Sequence, residues 1–335
     1  MNVPPGFRGL LWPLSLLYRE VVRIRVWMYG NGLLKQRRLD KPVVSVGNLT
    51  VGGTGKTPMV IWLAERFLTK GQRVGILTRG YKGDGGTSDE VALMKARLSG
   101  RVQFGVGKDR YQQGLELQKK GVDIFLLDDG FQHLKLARDV NILLMDASRP
   151  LGNERLLPAG TLREPLSEMG RADLLVFTRT ENAPNAQNAI AKLQDYPVFS
   201  ASTRLLGFRA AGAGGRAELF MPEQIGAGPF FAFCGIGNPD AFFNDLRNWN
   251  VPCAGRQAFA DHHRYTANDA SQIETAARDA GARALITTEK DGQNLSGVQF
   301  ASLPLYIAVI ELQIADEEGF WVTIERRLDA RGTAA

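Results

Sequence analysis

The most chemically pointed stretch of this chain is Thr50-Val51-Gly52-Gly53-Thr54-Gly55-Lys56-Thr57. Glycines at these spacings let successive backbone N–H groups of Gly52, Gly53, Thr54 and Gly55 converge on phosphate oxygens. A helix starting at the end of the loop adds positive potential at the same point. In such a loop Lys56 reaches the β- and γ-phosphates of a nucleotide, and the Thr57 hydroxyl holds Mg²⁺. The general pattern G-x-x-x-x-G-K-[ST] asks for glycine at position 50, where this chain has Thr50. The competing reading is a glycine-rich turn with a coincidental Lys-Thr. An apolar run before the turn and a helical pattern after it favour phosphate binding.

Other chemistry lies further along. Asp128-Asp129 follow the apolar run VDIFLL and precede Gly130-Phe131-Gln132-His133. A carboxylate at the end of a buried strand beside a phosphate loop commonly holds Mg²⁺, directly or through water. Adjacent ionised carboxylates repel, so a cation is their natural neutraliser. The competing reading is a plain Asp-Gly turn. Asp89-Glu90 open a helical pattern, where Asp89 is either a site residue or a helix-start carboxylate favoured by the macrodipole. Residues 149–166, rich in Pro, Gly and charge, carry Arg155, Arg163 and Glu164 and read as a functional loop. Two of the three histidines fall in Asp261-His262-His263-Arg264. No third ligand has zinc-site spacing, so acid–base work is favoured over metal.

Positioning these groups requires a layered α/β fold. Val43–Val46 read as a buried parallel strand. A helix at 59–69 follows, with Pro58 in its first turn and Gly71 as C-cap. Further strands are expected at 73–78, 102–106, 122–127, 140–145 and 174–178, with a helix at 108–119 that begins near Arg110. The 174–178 strand is expected to close the series. Small residues at 210–217 mark a boundary. Beyond it come a strand entering the Gly turn of 229–239, helices including 267–280, a strand at 284–287, the turn Thr288-Glu289-Lys290-Asp291 and a last strand at 305–309. The fold class is thus α/β: a P-loop NTPase-like parallel sheet flanked by helices, a smaller second α/β domain, and an N-terminal amphipathic helix. The expected segments are 1–38 for the N-terminal helical segment, 39–207 for the phosphate-loop domain, 208–328 for the smaller domain and 329–335 for a disordered tail.

A chain of 335 residues, 44% hydrophobic and 23% charged, is globular and long enough for two domains. Two cysteines, Cys234 and Cys253, make neither a disulfide framework nor a metal site, which fits a reducing compartment. Residues 1–41 hold eight basic residues against Glu20 and Asp40, so this stretch carries the whole net charge of +6. Arginines interrupt the apolar run of 9–29 before it reaches the roughly 18–20 residues of a spanning helix, and no small-residue cleavage site follows. On a helix, Ser15, Arg19 and Arg23 share one face and Leu10, Leu14, Leu17 and Val21 another. Trp12, Tyr18, Trp27 and Tyr29 are ring types that favour a bilayer interface. Two readings follow: a helix lying on an anionic membrane, or one packed on its own domain.

The motifs GNLTVGGTGKTP, RGYKG, Asp89-Glu90, GKDR at 107–110, DDGFQH, AGTLREP, DHHRY and TTEKD occur in the order found in the tetraacyldisaccharide 4'-kinases, the lipid A kinases of Gram-negative bacteria. The chain resembles that family from about residue 10 to about 328. DDGFQH and GTLREP are more specific than the phosphate loop, and Thr50 is usual for the family. The family typically has Pro after the Asp-Glu pair, where this chain has Val91, and the glycine-rich stretch before the pair is looser here.

The resemblance implies transfer of the γ-phosphate of ATP, with Mg²⁺, to the 4'-hydroxyl of a tetraacylated glucosamine disaccharide 1-phosphate, giving lipid IVA. It also implies a monomer that meets anionic lipid peripherally at the cytoplasmic face of the inner membrane, with no nucleic-acid partner. It strengthens the membrane reading of residues 9–29. By resemblance, His262 helps Asp89 take the proton from the sugar hydroxyl. Asp128 and Asp129 are the Mg²⁺ and active-site carboxylates, and Arg110, Gln132, Arg163 and Glu164 are the remaining site residues. Asp89 and His262 lie on opposite sides of the expected boundary, so pairing them requires a cleft to close on substrate. Two rival readings are a membrane-associated switch ATPase and a soluble small-molecule kinase. The first carries a lysine where this chain has Val51, and the second would not need the basic, aromatic N-terminus.

Overall fold

A computed structural model of the chain describes residues 11–80, 88–183, 196–212, 218–226, 228–295 and 297–332. Two compact units emerge, and each is interrupted in sequence. The first comprises Met1–Arg79, Arg101–Ser202 and Ile314–Ala335, the second Gly80–Gly100 and Thr203–Gln313. This division departs from a single boundary near residue 207. Residues 80–100 group with the second unit, and the C-terminal segment groups with the first.

In the first unit the strands are β1 (Val43–Asn48), β2 (Val74–Thr78), β3 (Gln103–Val106), β4 (Ile124–Asp128), β5 (Val140–Asp146) and β6 (Leu174–Thr178). They run parallel in the order β3-β2-β4-β1-β5-β6. The pairs Val46 with Asp128 and Asp146 with Thr178 put Asn48, Asp128, Asp146 and Thr178 together at the carboxyl ends of the strands. That edge is where open α/β sheets place ligands. β1, β2, β4, β5 and β6 are buried throughout, which is why they read as continuous apolar runs. Helices α2 (Lys56–Thr69), α4 (Arg110–Lys119), α1 (Trp12–Gly30) and α9 (Glu317–Gly332) belong to this unit.

α9 replaces most of the expected disordered tail, for it continues to Gly332; residues 333–335 lie outside the described residues. Trp321 stacks on Trp62 of α2 at 5.7 Å and meets Phe67 edge-on at 5.0 Å, and Arg331 pairs with Asp139 at 2.9 Å. The apolar residues Phe320, Trp321 and Ile324 supply the burial that the terminal DARGTAA lacks.

The second unit contains α3 (Asp89–Leu98), β8 (Phe230–Cys234), α6 (Pro239–Asn248), β9 (Cys253–Ala258), α7 (Ala267–Asp279), β10 (Ala284–Thr288), α8 (Glu289–Asn294) and β11 (Leu305–Ile314); between Pro222 and Ile225 lies a single-turn helix, α5. Its strands lie in the order β11-β10-β8-β9, all parallel. Strand β7 (Val198–Ala210), unforeseen, passes from the first unit, where it pairs with β6, into the second. α3 joins this unit through a nearly buried ion pair, Arg97 to Glu289 at 2.9 Å, with Arg97 also donating to the Ile310 carbonyl at 3.0 Å.

Candidate functional site

At the phosphate loop, Gly55 caps α2 with φ of 83°, a left-handed conformation that disfavours other residues. Thr178, at the end of β6, donates from its hydroxyl to the Thr54 carbonyl at 3.1 Å and so holds the loop against the sheet. The loop's other edge is a two-bond ladder: Val51 N donates to the Thr161 carbonyl and Arg163 N to the Leu49 carbonyl, each at 2.7 Å. The charged 149–166 segment is therefore fastened to the phosphate loop, and Leu162 anchors it in the core beside Phe131 and Leu49. Thr57 stands in the first turn of α2, beside Lys56.

Lys56 donates to Asn48 Oδ1 at 3.1 Å and lies 3.5 Å from Asp129. Asp129 sits in a turn with φ of 48°, and Arg163 donates to both its oxygens at 2.8 and 2.9 Å. Burial works to raise the Asp129 carboxyl, but Lys56 and Arg163 outweigh it and hold the group below the usual carboxylate range. Asp128 is buried at the strand end and accepts from the Thr78 hydroxyl at 3.0 Å. The adjacent carboxylates thus have separate surroundings, and two protein cations already attend Asp129.

Gln132 donates to the Asn48 carbonyl at 2.9 Å and to Glu164 at 3.4 Å. Glu164 is 1% exposed and bound by Arg171. Its burial raises the carboxyl against the pull of Arg171. Arg110, also buried, has its guanidinium 3.4 Å from His133 Nδ1. A guanidinium only donates, so that nitrogen accepts. Burial, then the charges of Arg110 and Arg138, push the His133 ring down to about 4, so it is neutral at pH 7. Arg110, Gln132, Arg163 and Glu164 are therefore gathered with Lys56, Asp128 and Asp129 in the first unit. Sequence reasoning missed Asn48, Thr78, Arg171 and Thr178, which hold these groups. Three of the four lie at or beside strand carboxyl ends, a usable signal. Gly47 permits the assembly, because a Cβ there would come within 2.6 Å of the Phe131 backbone nitrogen.

In the second unit Asp89 begins α3, and its side chain is 6% exposed. His262 Nδ1 lies 2.9 Å from Asp89 Oδ2. His262 has φ of 61°, and its backbone N–H donates to the Gly235 carbonyl at 3.0 Å. A non-glycine residue held left-handed is a feature met at functional sites. Both residues fall within one compact unit, so the pair forms without the closure that the sequence boundary implied. The N-cap of α3 is Ser88, whose hydroxyl accepts from Val91 N at 3.4 Å. A proline at 91 would lack that donor, so this chain caps the helix in its own way. Residues 81–87, which hold most of RGYKG and the glycine-rich run, lie outside the described residues. His263 stacks on Phe259 and reaches Asp269 at 3.2 Å, a structural setting.

Helix α1 is tied to this first-unit site on one face. Ser15 donates to the Leu156 carbonyl at 3.1 Å and accepts from Ala159 N at 3.0 Å. Tyr18 donates to the Arg163 carbonyl at 2.7 Å, and Arg25 to the Gln132 carbonyl at 3.0 Å. Ser15 thus belongs to the packed face, not to a polar outer face with Arg19 and Arg23. The opposite side leaves Leu14, Leu17, Val21 and Ile24 more than half exposed, flanked by Trp12 and Trp27. No helix among the described residues is long and apolar enough to cross a membrane.

A model of the family described as tetraacyldisaccharide-1-P 4'-kinase matches residues 7–329. The tetraacyldisaccharide 4'-kinase of Geobacter metallireducens is 41% identical over 96% of this chain and 98% of its own length. That of Geobacter sulfurreducens is 42% identical over 90% and 88%. A crystal structure of LpxK from Aquifex aeolicus in complex with ATP aligns with a TM-score of 0.74 at 32% identity, covering 96% of this chain and 99% of that one.

Proposed function

Because this chain belongs to the tetraacyldisaccharide 4'-kinase family, and so moves the γ-phosphate of ATP to the 4'-hydroxyl of a tetraacylated disaccharide 1-phosphate, we propose that it divides the reaction between a phosphate-handling group and a hydroxyl-activating pair. Residues Thr50–Thr57 cradle the ATP phosphates. Lys56 and Arg163, now balanced on Asp129, neutralise charge that spreads over the transferring group. Exchange of their carboxylate partner for phosphate oxygens costs little reorganisation, because Asn48 and the Leu49 carbonyl already fix both residues.

The donor set fits Mg²⁺. Thr57 offers a hydroxyl in the first turn of α2, Asp128 a buried carboxylate at a strand end, and Asp129 a second carboxylate beside it. So few protein ligands are enough for Mg²⁺, which keeps several waters and binds substrate phosphate oxygens. When bound, Mg²⁺ supplies charge stabilisation on the β- and γ-phosphates. Arg110 and Gln132 fit polar substrate contacts, since Arg110 Nε and Gln132 Oε1 are buried without a hydrogen-bond partner among the described residues. Glu164, enclosed by Arg171 and Gln132, positions these residues.

The observation that carries the reading is the 2.9 Å contact between His262 and Asp89. A sugar hydroxyl is a weak nucleophile until a base takes its proton. Asp89 is that base, and His262 orients it. The exposed apolar face of α1, with its arginines, lies against the anionic inner leaflet, where the acylated acceptor resides. The enzyme acts there as a peripheral monomer.

Transfer of γ-labelled phosphate from ATP to purified tetraacyldisaccharide 1-phosphate tests the whole reading. The parent should form a 4'-phosphorylated product. Lys56→Ala, folded as judged by circular dichroism, should lose about 10³-fold in rate. Near-parent turnover by that variant would remove the phosphate-loop assignment.

A further inference from the structure

His262 stands between two carboxylates. Asp89 Oδ2 lies 2.9 Å from Nδ1, and Asp261 Oδ2 lies 3.8 Å from Nε2. An imidazole with one ring hydrogen can give it to only one of them. If Nε2 carries it, the Nδ1 lone pair faces the Asp89 carboxylate and the pair is lost. The closer carboxylate favours Nδ1 as the donor, and the groups around Nε2 decide how firmly the hydrogen stays there.

Lys290 is placed to do so. Its ammonium lies 3.0 Å from Asp261 Oδ1, 3.5 Å from His262 Nε2 and 3.7 Å from Asp89 Oδ2. An ammonium has three donors and no acceptor. Opposite a donor, Nε2 must accept, so the ring hydrogen sits on Nδ1 and goes to Asp89. The same ammonium occupies Asp261, the carboxylate that lies 3.8 Å from Nε2. From these contacts we infer that Lys290, steadied by Asp261, is a positioning residue that fixes the tautomer of His262. The inference rests on Asp89 and His262 acting as the base pair.

The scaffold fits this task. Asp291, next to Lys290 and fully buried, accepts from Gly235 N at 2.8 Å, Tyr265 at 3.0 Å and Thr288 at 2.6 Å. Gly235 in turn accepts from His262 N through its carbonyl. Lys290 and His262 therefore hang from one short hydrogen-bonded chain. Asn294, one turn on in α8, donates to Asp89 Oδ2 at 3.4 Å. Partners of a ligating or catalytic histidine commonly set its tautomer and orientation in this way.

The test is ¹⁵N NMR of histidine-labelled full-length protein, with the His262 signals assigned through His262→Gln and only three histidines to resolve. In the parent, Nε2 of His262 should show the shift of an acceptor nitrogen and Nδ1 that of a protonated one. In Lys290→Met, Nε2 should acquire hydrogen. Turnover should fall about 10–100-fold with the KM for ATP unchanged. Lys290→Arg, also donor-only, should restore both the shifts and most of the rate, which a merely structural role would not predict. An Nε2 that remains an acceptor in Lys290→Met overturns the proposal, whatever the rate does. The base assignment fails separately, if Asp89→Asn keeps near-parent turnover, and the tautomer readout does not depend on that result.

Discussion

Replacing Leu17 and Val21 together by serine should detach the protein from lipid without unfolding it. These side chains are 64% and 56% exposed on α1. Fully burying a Leu or Val side chain is worth roughly 1.5–3 kcal/mol. Scaled by exposure, each contributes about 1–2 kcal/mol on entering the interface, and the pair about 2–3.5 kcal/mol. At about 1.4 kcal/mol per factor of ten, partitioning should fall ~30–300-fold. The assay is sedimentation with phosphatidylglycerol vesicles across a lipid titration. The salt sensitivity of binding should persist in the variant, because the arginines of the segment remain. Its melting temperature should stay close to the parent's, as exposed sites seldom shift stability by more than about 0.5 kcal/mol. Val22→Ser is the counterpart: Val22 is 6% exposed, so its loss should lower the melting temperature. Unchanged vesicle partitioning of Leu17→Ser/Val21→Ser would refute the reasoning, as would a marked loss of stability.

Two further outcomes follow from buried charge. Arg97→Met leaves Glu289 buried without its ion-pair partner, so denaturant unfolding should show a loss of about 3–5 kcal/mol, largely recovered by adding Glu289→Gln; a loss below about 1 kcal/mol would contradict the pairing. His133 has a folded value of about 4 against an ordinary 6.5, so the unfolded chain takes up the proton first as pH falls. Stability from this group is therefore complete above about 6.5 and is lost as pH drops toward 4, and His133→Gln should flatten that part of the curve of melting temperature against pH.

Much of the first unit was legible because parallel strands buried on both faces leave unbroken apolar runs, as at 43–46, 140–145 and 174–178. The turn before α2 was legible because glycine suits the left-handed backbone found at Gly52 and Gly55. β9, Cys-Ala-Gly-Arg-Gln-Ala, was missed since its side chains are largely exposed at the sheet edge and carry no apolar pattern. β7 was missed because its polar and small residues, Ser200, Ser202 and Thr203, resemble a linker. The Asp89 segment was assigned to the wrong neighbours because its attachment, Arg97 to Glu289, joins residues 192 apart in sequence. Lys290 stood within a noted motif, yet its role depends on the geometry around Nε2, which spacing does not encode. Asp128 and Asp129 read as equivalent in sequence; in the structure Thr78 donates to Asp128, whereas Arg163 and Lys56 attend Asp129.

The central claim is that Asp89 and His262 act as one unit on the acceptor hydroxyl. It is tested most directly by turnover of Asp89→Ala, His262→Ala and the double variant, with γ-labelled ATP and saturating acylated disaccharide. Asp89→Ala should lower kcat by roughly 10²–10⁴, His262→Ala should act in the same direction, and the double variant should be little worse than the poorer single one. The KM for ATP should change less than kcat in each. Fully multiplicative losses, or a His262→Ala protein that loses thermal stability while keeping its kcat, would contradict the account.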